Sequence, residues 1–321
     1  MADTPHLKFI TKPTAKKGNG DIIQSKQTKI GHYTEVSDEA VLNGDGITIG
    51  EGCIINDGVR LEHHVYIGDE VILNEGVEIG AACIISDNCN IKKNCILGKR
   101  GNIYTNTNIY NDTNIGDDVC IHDHCLIYPE VNIHSKVVIM DNSIIATHCI
   151  LEERVIIEYN CIIFYGVHIQ TGTKVEHSSE VGDNSIVEKN VQIGHNCIIF
   201  HKVHIQDNVV IEKNSSIGDN TEIGKGTIIK QKCTIHTDVS IGEAVIIEKR
   251  SHVETGVKIE AGVKIGKEVV IKPGCIIQKN SIIEDGVILN ENVTIGENCR
   301  IYENYVVEQG ACISANTQLL Y

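Results

Sequence analysis

The chain has 321 residues, 41% of them hydrophobic, but only 3 Phe, 2 Met and no Trp, so aromatic side chains cannot form its core. Ile, Val, Leu and Cys must supply the buried surface, which favours strands and excludes a helical bundle. A formal net charge of -15 argues against nucleic acid and membrane partners, and no apolar segment suits a bilayer span or a signal peptide, so we expect a cytoplasmic protein or one assembled there into a larger structure.

Residues 1–29 differ from the rest of the chain. They contain six Lys against two Asp, and they lack the repeat that follows. This composition predicts a basic N-terminal arm that is flexible or is ordered by a partner. Lys12, Lys16 and Lys17 are the residues we expect to contact an acidic partner surface.

A six-residue period governs the rest of the chain. From Ile49 to Leu319 every sixth residue is Ile, Leu or Val, and Ile30, Val36 and Leu42 form an earlier run offset by one residue. Two residues before each aliphatic stands mostly Val, Cys, Ser or Thr, and Asn or Gly often stands three residues after it. Side chains at alternate positions share one face of a strand, and Asn and Gly tolerate a positive φ. Each hexad therefore predicts one short strand and one turn.

Strands this short must stack on further copies to bury their inner face. Units such as VYIGDE, SSIGDN and VTIGEN resemble those of the hexapeptide-repeat superfamily, which implies a left-handed parallel β-helix. We expect an all-β solenoid over 30–321, with about fifteen or more coils of three hexads at roughly 4.8 Å per coil. The unbroken register predicts no insertion loops and no C-terminal helical domain.

The cysteines follow the same period. Eleven of the thirteen stand two residues before an aliphatic, which predicts small hydrophobic residues inside the solenoid. Cysteines in the series from Cys53 to Cys233 recur every 36 residues, two coils and roughly 9.6 Å apart, too far to form a disulfide. Cys120 and Cys312 fall on outward positions, where no neighbouring residue suggests a nucleophile or a metal ligand.

The segment VQIGHNC, from Val191 to Cys197, is similar to the segment that carries the catalytic base in the lipid A branch of hexapeptide acyltransferases. The resemblance implies that His195 is a general base, with acyl-CoA or an acyl-carrier protein as donor and a sugar amine or hydroxyl as acceptor. At 18 residues per coil, His177 lies directly below His195 and Lys213 directly above it. The same residues could instead form a solvated corner ladder.

Zinc binding is a further possibility, because gamma-class carbonic anhydrases share the repeat. That family has two histidines 36 residues apart and a third five residues later. His168 and His204 have the first spacing, but position 209 is Val. We therefore predict no metal site.

One outer face of the solenoid carries an apolar stripe. Its length exceeds what a soluble monomer normally leaves exposed, which predicts a homotrimer of parallel solenoids. The residues predicted at this interface are Leu126, Tyr128, Ile144, Ile162, Phe164, Ile198 and Phe200.

The unbroken register and the absence of a lid segment favour a non-catalytic trimeric scaffold or stalk that needs no cofactor, and this is our main prediction. An acyltransferase with His195 as base is the alternative. A carbonic-anhydrase-like metal protein is the second alternative.

Overall fold

The computed structural model describes residues 15–17, 21–23 and 28–320, and it is built from two- and three-residue strands. The first five strands are β1 (Ala15–Lys17), β2 (Asp21–Ile23), β3 (Lys29–Ile30), β4 (Glu35–Val36) and β5 (Val41–Leu42). Two-residue strands then begin every six residues, from β6 (Thr48–Ile49) to β51 (Gln318–Leu319). Strands β1 and β2 pair in antiparallel orientation within the segment predicted to be an arm. The predicted contact of Lys12, Lys16 and Lys17 with an acidic partner falls outside the described side chains.

From β3 onward each strand pairs in parallel with the strand three places later, which gives three sheets. Face 1 runs from β4 to β49 and face 2 from β5 to β50, with 16 strands in each, and face 3 runs from β3 to β51. Partners are 18 residues apart, as in Ile72 and Asn90, so side chains form columns along the solenoid. The pairing of Lys29 with Thr48 spans 19 residues and absorbs the single offset in the period.

The predicted parallel solenoid is confirmed, with about sixteen turns. The described residues contain no helix and no insertion between strands, and therefore no helix with the length and apolarity of a membrane span. The left-handed sense remains an inference from the resemblance.

The core holds the aliphatic column together with the small residues two positions before it. All eleven inward cysteines are buried and unpaired, as predicted. Their thiols donate to carbonyl oxygens fifteen residues later, as Cys89 does to Tyr104 at 2.9 Å, and burial raises the pKa of Cys125 to about 12. Ser179 fills the same position, donating to the Gly194 carbonyl at 2.9 Å and accepting from the Cys197 N–H at 3.0 Å. The hydroxyl thus meets its hydrogen-bonding needs inside an apolar core.

From Ile49 onward, each corner places one residue in the left-handed region, three positions after the aliphatic. Many of these are Asn or Gly, as predicted, including Asn160 with φ of 57° and Gly76 with φ of 73°. Others are not suited to this region, such as Arg154 with φ of 63° and Lys232 with φ of 61°. Each such residue costs about 1–2 kcal/mol in conformational free energy. The hydrogen-bonded strands on both sides of the corner hold it in this conformation.

Candidate functional site

The corner between faces 3 and 1 carries a column formed by the residue two positions after each face-3 aliphatic; we call it the 3/1 column. Tyr159, His177, His195 and Lys213 occupy four successive coils of it. The backbone fixes their spacing, because the Asn196 N–H donates to the His177 carbonyl at 3.1 Å and the next coil repeats the bond to His195 at 3.0 Å.

Three aromatic rings of the 3/1 column are stacked. The centroids of Tyr159 and His177 are 4.7 Å apart with planes 2° from parallel, and those of His177 and His195 are 4.7 Å apart at 9°. This separation equals the ordinary spacing of paired strands, so the rise of the solenoid sets the stack. The structure therefore places His177 directly below His195, while Lys213 is exposed on the coil above.

The Asn196 amide controls which nitrogen of His195 is available. Its Nδ2 lies 3.0 Å from Nδ1 of His195 and donates to it in the assigned orientation, so the neutral ring carries its proton on Nε2. Rotating the amide by half a turn makes Oδ1 accept from Nδ1–H and leaves the Nε2 lone pair free. Action as a base from Nε2 requires this second arrangement.

Ion pairs line face 3 beside the stacked rings. Lys174 Nζ lies 2.7 Å from Glu158 and 3.5 Å from Glu176, and Lys230 lies 2.8 Å from Glu212. Partial burial acts to raise the pKa of Glu158, but hydrogen bonds from Lys174 and from the His177 N–H outweigh it and lower that pKa. No ion pair between described residues includes Lys213, so its ammonium group is the cation available at this corner for an anionic group.

The backbone at Gly194, next to His195, packs closely against the following coil. A Cβ at this position would lie 2.7 Å from the Lys213 backbone nitrogen, so the corner requires glycine. The glutamates at the same position one coil below and above are Glu176 and Glu212. The column on face 3 beside His195 therefore carries no side chain between these two carboxylates.

Two histidine–glutamate pairs on face 2 escaped the sequence analysis. Nε2 of His168 lies 2.8 Å from Glu152, and Nε2 of His204 lies 2.8 Å from Glu188. In each pair the glutamate stands 16 residues before the histidine, a spacing that could have revealed the contact.

The histidines of these pairs do not form the zinc site considered above. His168 and His204 are separated by the strand of Ile186, and Val209 is buried in the core. No group of three or more potential metal ligands occurs among the described residues. A third histidine at position 209 would point into the solenoid, so the geometry does not support a carbonic-anhydrase-like centre.

A shallow cleft of about 440 Å³ lies at the corner between faces 2 and 3, on a different edge from His195. Arg100 pairs there with both carboxylate oxygens of Asp118 at 2.7 Å, and Lys136 lies 2.9 Å from Glu153. Because these charges are already paired, we assign the cleft no ligand.

The predicted interface residues all lie on face 1 with outward positions. Tyr128, Ile198 and Phe200 are exposed, at 36%, 42% and 40%. The other four are half-buried by their neighbours along the column; these are Leu126, Ile144, Ile162 and Phe164. Ile198 and Phe200 immediately follow the His195 corner, so the 3/1 column borders the apolar stripe.

Two family models match the chain. The model described as GMPPB C-terminal domain matches residues 121–215 and 157–252, and the model described as bacterial transferase hexapeptide (six repeats) matches residues 46–81. No curated protein gave a significant match.

The chain is similar at low identity to several solved structures. A UDP-N-acetylglucosamine acyltransferase, LpxA, from Bacteroides fragilis is 19% identical over 64% of this chain and 66% of its own, with a TM-score of 0.26. The Arabidopsis UDP-N-acetylglucosamine acyltransferase is 13% identical over 66% and 65%, with a TM-score of 0.29. A perosamine N-acetyltransferase mutant from Caulobacter crescentus is 18% identical over 33% and 52%, with a TM-score of 0.19. The chain thus spans about two thirds or less of these proteins.

These comparisons correct the main functional prediction. A non-catalytic scaffold or stalk is wrong, because the family model that matches the repeats at residues 46–81 describes a bacterial transferase. The error came from the unbroken register, which reports on fold and says nothing about chemistry at a corner. The hexads, the parallel sheets and the repeat-model match over residues 46–81 together confirm the resemblance of this chain to the hexapeptide-repeat superfamily.

Proposed function

We propose that the protein is an acyltransferase that moves an acyl group from acyl-CoA or an acyl-carrier protein to an amine or hydroxyl, with a sugar as the acceptor class. The observation that supports this most is the stacked pair His177 and His195. Stacking on the parallel ring of His177 favours one orientation of the His195 ring at the corner. An imidazole in a fixed orientation is the usual proton acceptor for such a reaction at neutral pH.

In the proposed reaction, Nε2 of His195 accepts the proton of the acceptor amine or hydroxyl as its nitrogen or oxygen attacks the thioester carbonyl carbon. The carbon–sulfur bond then breaks, and the proton passes from the imidazolium to the departing thiolate. Oδ1 of Asn196 accepts from Nδ1–H throughout, which holds the ring in the required tautomer. His177 is a positioning residue, and Lys213 provides a positive charge for a donor phosphate.

The proposal includes a homotrimer formed through face 1. Ile198 and Phe200 border the His195 corner, so a neighbouring subunit seated on the stripe would cover the side of the site that this chain leaves open. We also propose a cytoplasmic location, because thirteen unpaired cysteines suit a reducing compartment.

Donor binding and turnover test the catalytic proposal. Acetyl-CoA and longer acyl donors should raise the melting temperature, and His195→Ala should reduce acyl transfer by about 10²–10⁴ with the fold unchanged. Asn196→Asp should retain transfer, because a carboxylate can only accept from Nδ1–H. The matched control is His201→Ala at the neighbouring corner, which should leave transfer unchanged. Equal transfer by the His195→Ala protein, or no donor binding by any variant, would refute the acyltransferase.

Sedimentation of a double variant tests the trimer. Phe164→Lys with Phe200→Lys should release folded monomers, because both side chains project from face 1 and the interior column is untouched. Tyr66→Lys on face 3 is the matched control, since Tyr66 is also exposed but lies outside the stripe. A double variant with the mass of the parent assembly would place the interface on another face.

A further inference from the structure

Face 1 holds a second histidine pair, remote from the 3/1 column. Nε2 of His236 lies 2.9 Å from Nε2 of His252, and the ring centroids are 4.7 Å apart with planes at 66°. His236 follows strand β37 (Thr234–Ile235), and His252 begins strand β40 (His252–Val253), its neighbour in the sheet. Both imidazoles are half-buried and face outward.

His236 and His252 are 16 residues apart and lie diagonally across two adjacent coils. Other residue pairs with this spacing are also in contact along the solenoid. Elsewhere this diagonal joins complementary partners: Glu152 with His168, Glu158 with Lys174, Glu188 with His204, Glu284 with Arg300, Asn74 with Asn90 and Tyr302 with Gln318. At His236 and His252 the diagonal instead joins two groups that are both bases and both metal ligands. When both rings are neutral, the Nε2–H of one ring donates to the Nε2 lone pair of the other.

We infer that His236 and His252 form a bidentate site for a divalent transition-metal ion of the nickel or copper class. Metal–nitrogen bonds of about 2.0–2.1 Å at a right angle place two nitrogens about 2.9 Å apart, whereas tetrahedral zinc requires about 3.3 Å. The 2.9 Å separation matches the square or octahedral geometry that Ni²⁺ and Cu²⁺ adopt with nitrogen ligands. When the metal binds, the proton on the donating Nε2 passes through solvent to Nδ1 of the same ring, so both Nε2 lone pairs face the metal, and water fills the remaining positions.

The groups around His236 and His252 favour neutral imidazoles that can bind a cation. Partial burial first, and His236 second, lower the pKa of His252, which keeps its ring in the form that binds metal. Glu254 lies on the same coil and pairs with Lys272 at 2.9 Å, so the nearest ammonium group is neutralised. The outward strand residues of face 1 on the two preceding coils are Ser216 and Thr234, so the apolar stripe is interrupted here.

Calorimetric titration of the full chain with Ni²⁺ tests the inference. We expect a site that weakens at least tenfold in His236→Gln and equally in His252→Gln, with the double variant no weaker than either, because a chelate is lost with its first ligand. His168→Gln is the matched control, since it removes a histidine from the same diagonal where the partner is a glutamate, and it should leave the site intact. Unchanged Ni²⁺ binding in either single variant, or an equal loss in the control, would overturn the site.

A second measurement needs no variant. Ni²⁺ should protect His236 and His252 of the parent protein from diethyl pyrocarbonate, mapped by mass spectrometry, while exposed histidines such as His201 remain reactive. Modification of both residues at the same rate with and without Ni²⁺ would also overturn the inference. Neither result depends on acyl transfer, so the metal site and the proposed function fail separately.

Discussion

Two stretches of the 3/1 column share one backbone and differ in what their side chains do. In the first, carboxylates accept from the backbone N–H one coil below; the residues are Asp69, Asp87, Asp123 and Asp141, with distances of 2.7, 2.8, 2.8 and 3.2 Å. In the second, Tyr159, His177 and His195 stack on one another. The carboxylates are used in holding the coils together, whereas the ring nitrogens have no backbone N–H partner among the described bonds. The second stretch therefore leaves its imidazole nitrogens available for the chemistry that we propose.

The largest effect on acyl transfer is expected when a ring of the second stretch is replaced by a carboxylate like those of the first. In the His195→Asp variant the new carboxylate joins the acidic pattern, so we expect folding to be retained and acyl transfer to fall by about 10²–10⁴. Circular dichroism and a transfer assay on the same preparation measure both. The companion change is Asp141→His, which should leave transfer unaltered because Tyr159 separates it from the catalytic coil. Substantial transfer by His195→Asp would show that the base lies elsewhere.

Removing a carboxylate from the acidic stretch should weaken coil pairing. Asp123 accepts from both the N–H and the Oγ1 of Thr105, each at 2.8 Å. Asp123→Ala leaves both donors to solvent and should cost about 1–2 kcal/mol in the free energy of unfolding, with faster hydrogen exchange at the Thr105 amide. In His195→Ala no backbone amide loses an acceptor, so amide exchange should stay as in the parent. Equal changes in amide hydrogen exchange in Asp123→Ala and His195→Ala would show that the carboxylates do not hold the coils together more than the rings do.

The smallest expected change in the free energy of unfolding comes from the left-handed backbone position that both stretches share. Lys232 stands at the same corner, one position after the 3/1 column, with φ of 61°. Lys232→Asn should raise stability by about 0.5–1 kcal/mol, because Asn tolerates the left-handed region better. The reverse change at a matched corner, Asn160→Lys, should lower stability by a similar amount. Thermal unfolding measures both, and shifts of the same sign would contradict a backbone origin.

Much of this molecule follows from its hexads. The aliphatic period determined every strand from β6 to β51, the position two residues earlier determined the buried cysteines, and the 18-residue coil placed His177 below His195. These features depend only on which residues lie in one column, and the six-residue and 18-residue periods of the sequence give the members of each column. The prediction of a non-catalytic scaffold was wrong because it rested on the same periods, which determine the fold and carry no information about the chemistry of exposed side chains.

The tertiary structure decided the contacts that cross between columns. Glu152 meets His168, and His236 meets His252, because side chains before and after neighbouring strands lean toward each other across the pleat. Their 16-residue spacing is no multiple of the six-residue period, so the repeat alone does not indicate them. Side-chain direction likewise decided that the Asn196 amide reaches Nδ1 of His195 at 3.0 Å, so that the orientation of this amide governs the tautomer of the ring. Composition and period determined the solenoid, whereas rotamers on adjacent coils determined its candidate chemistry.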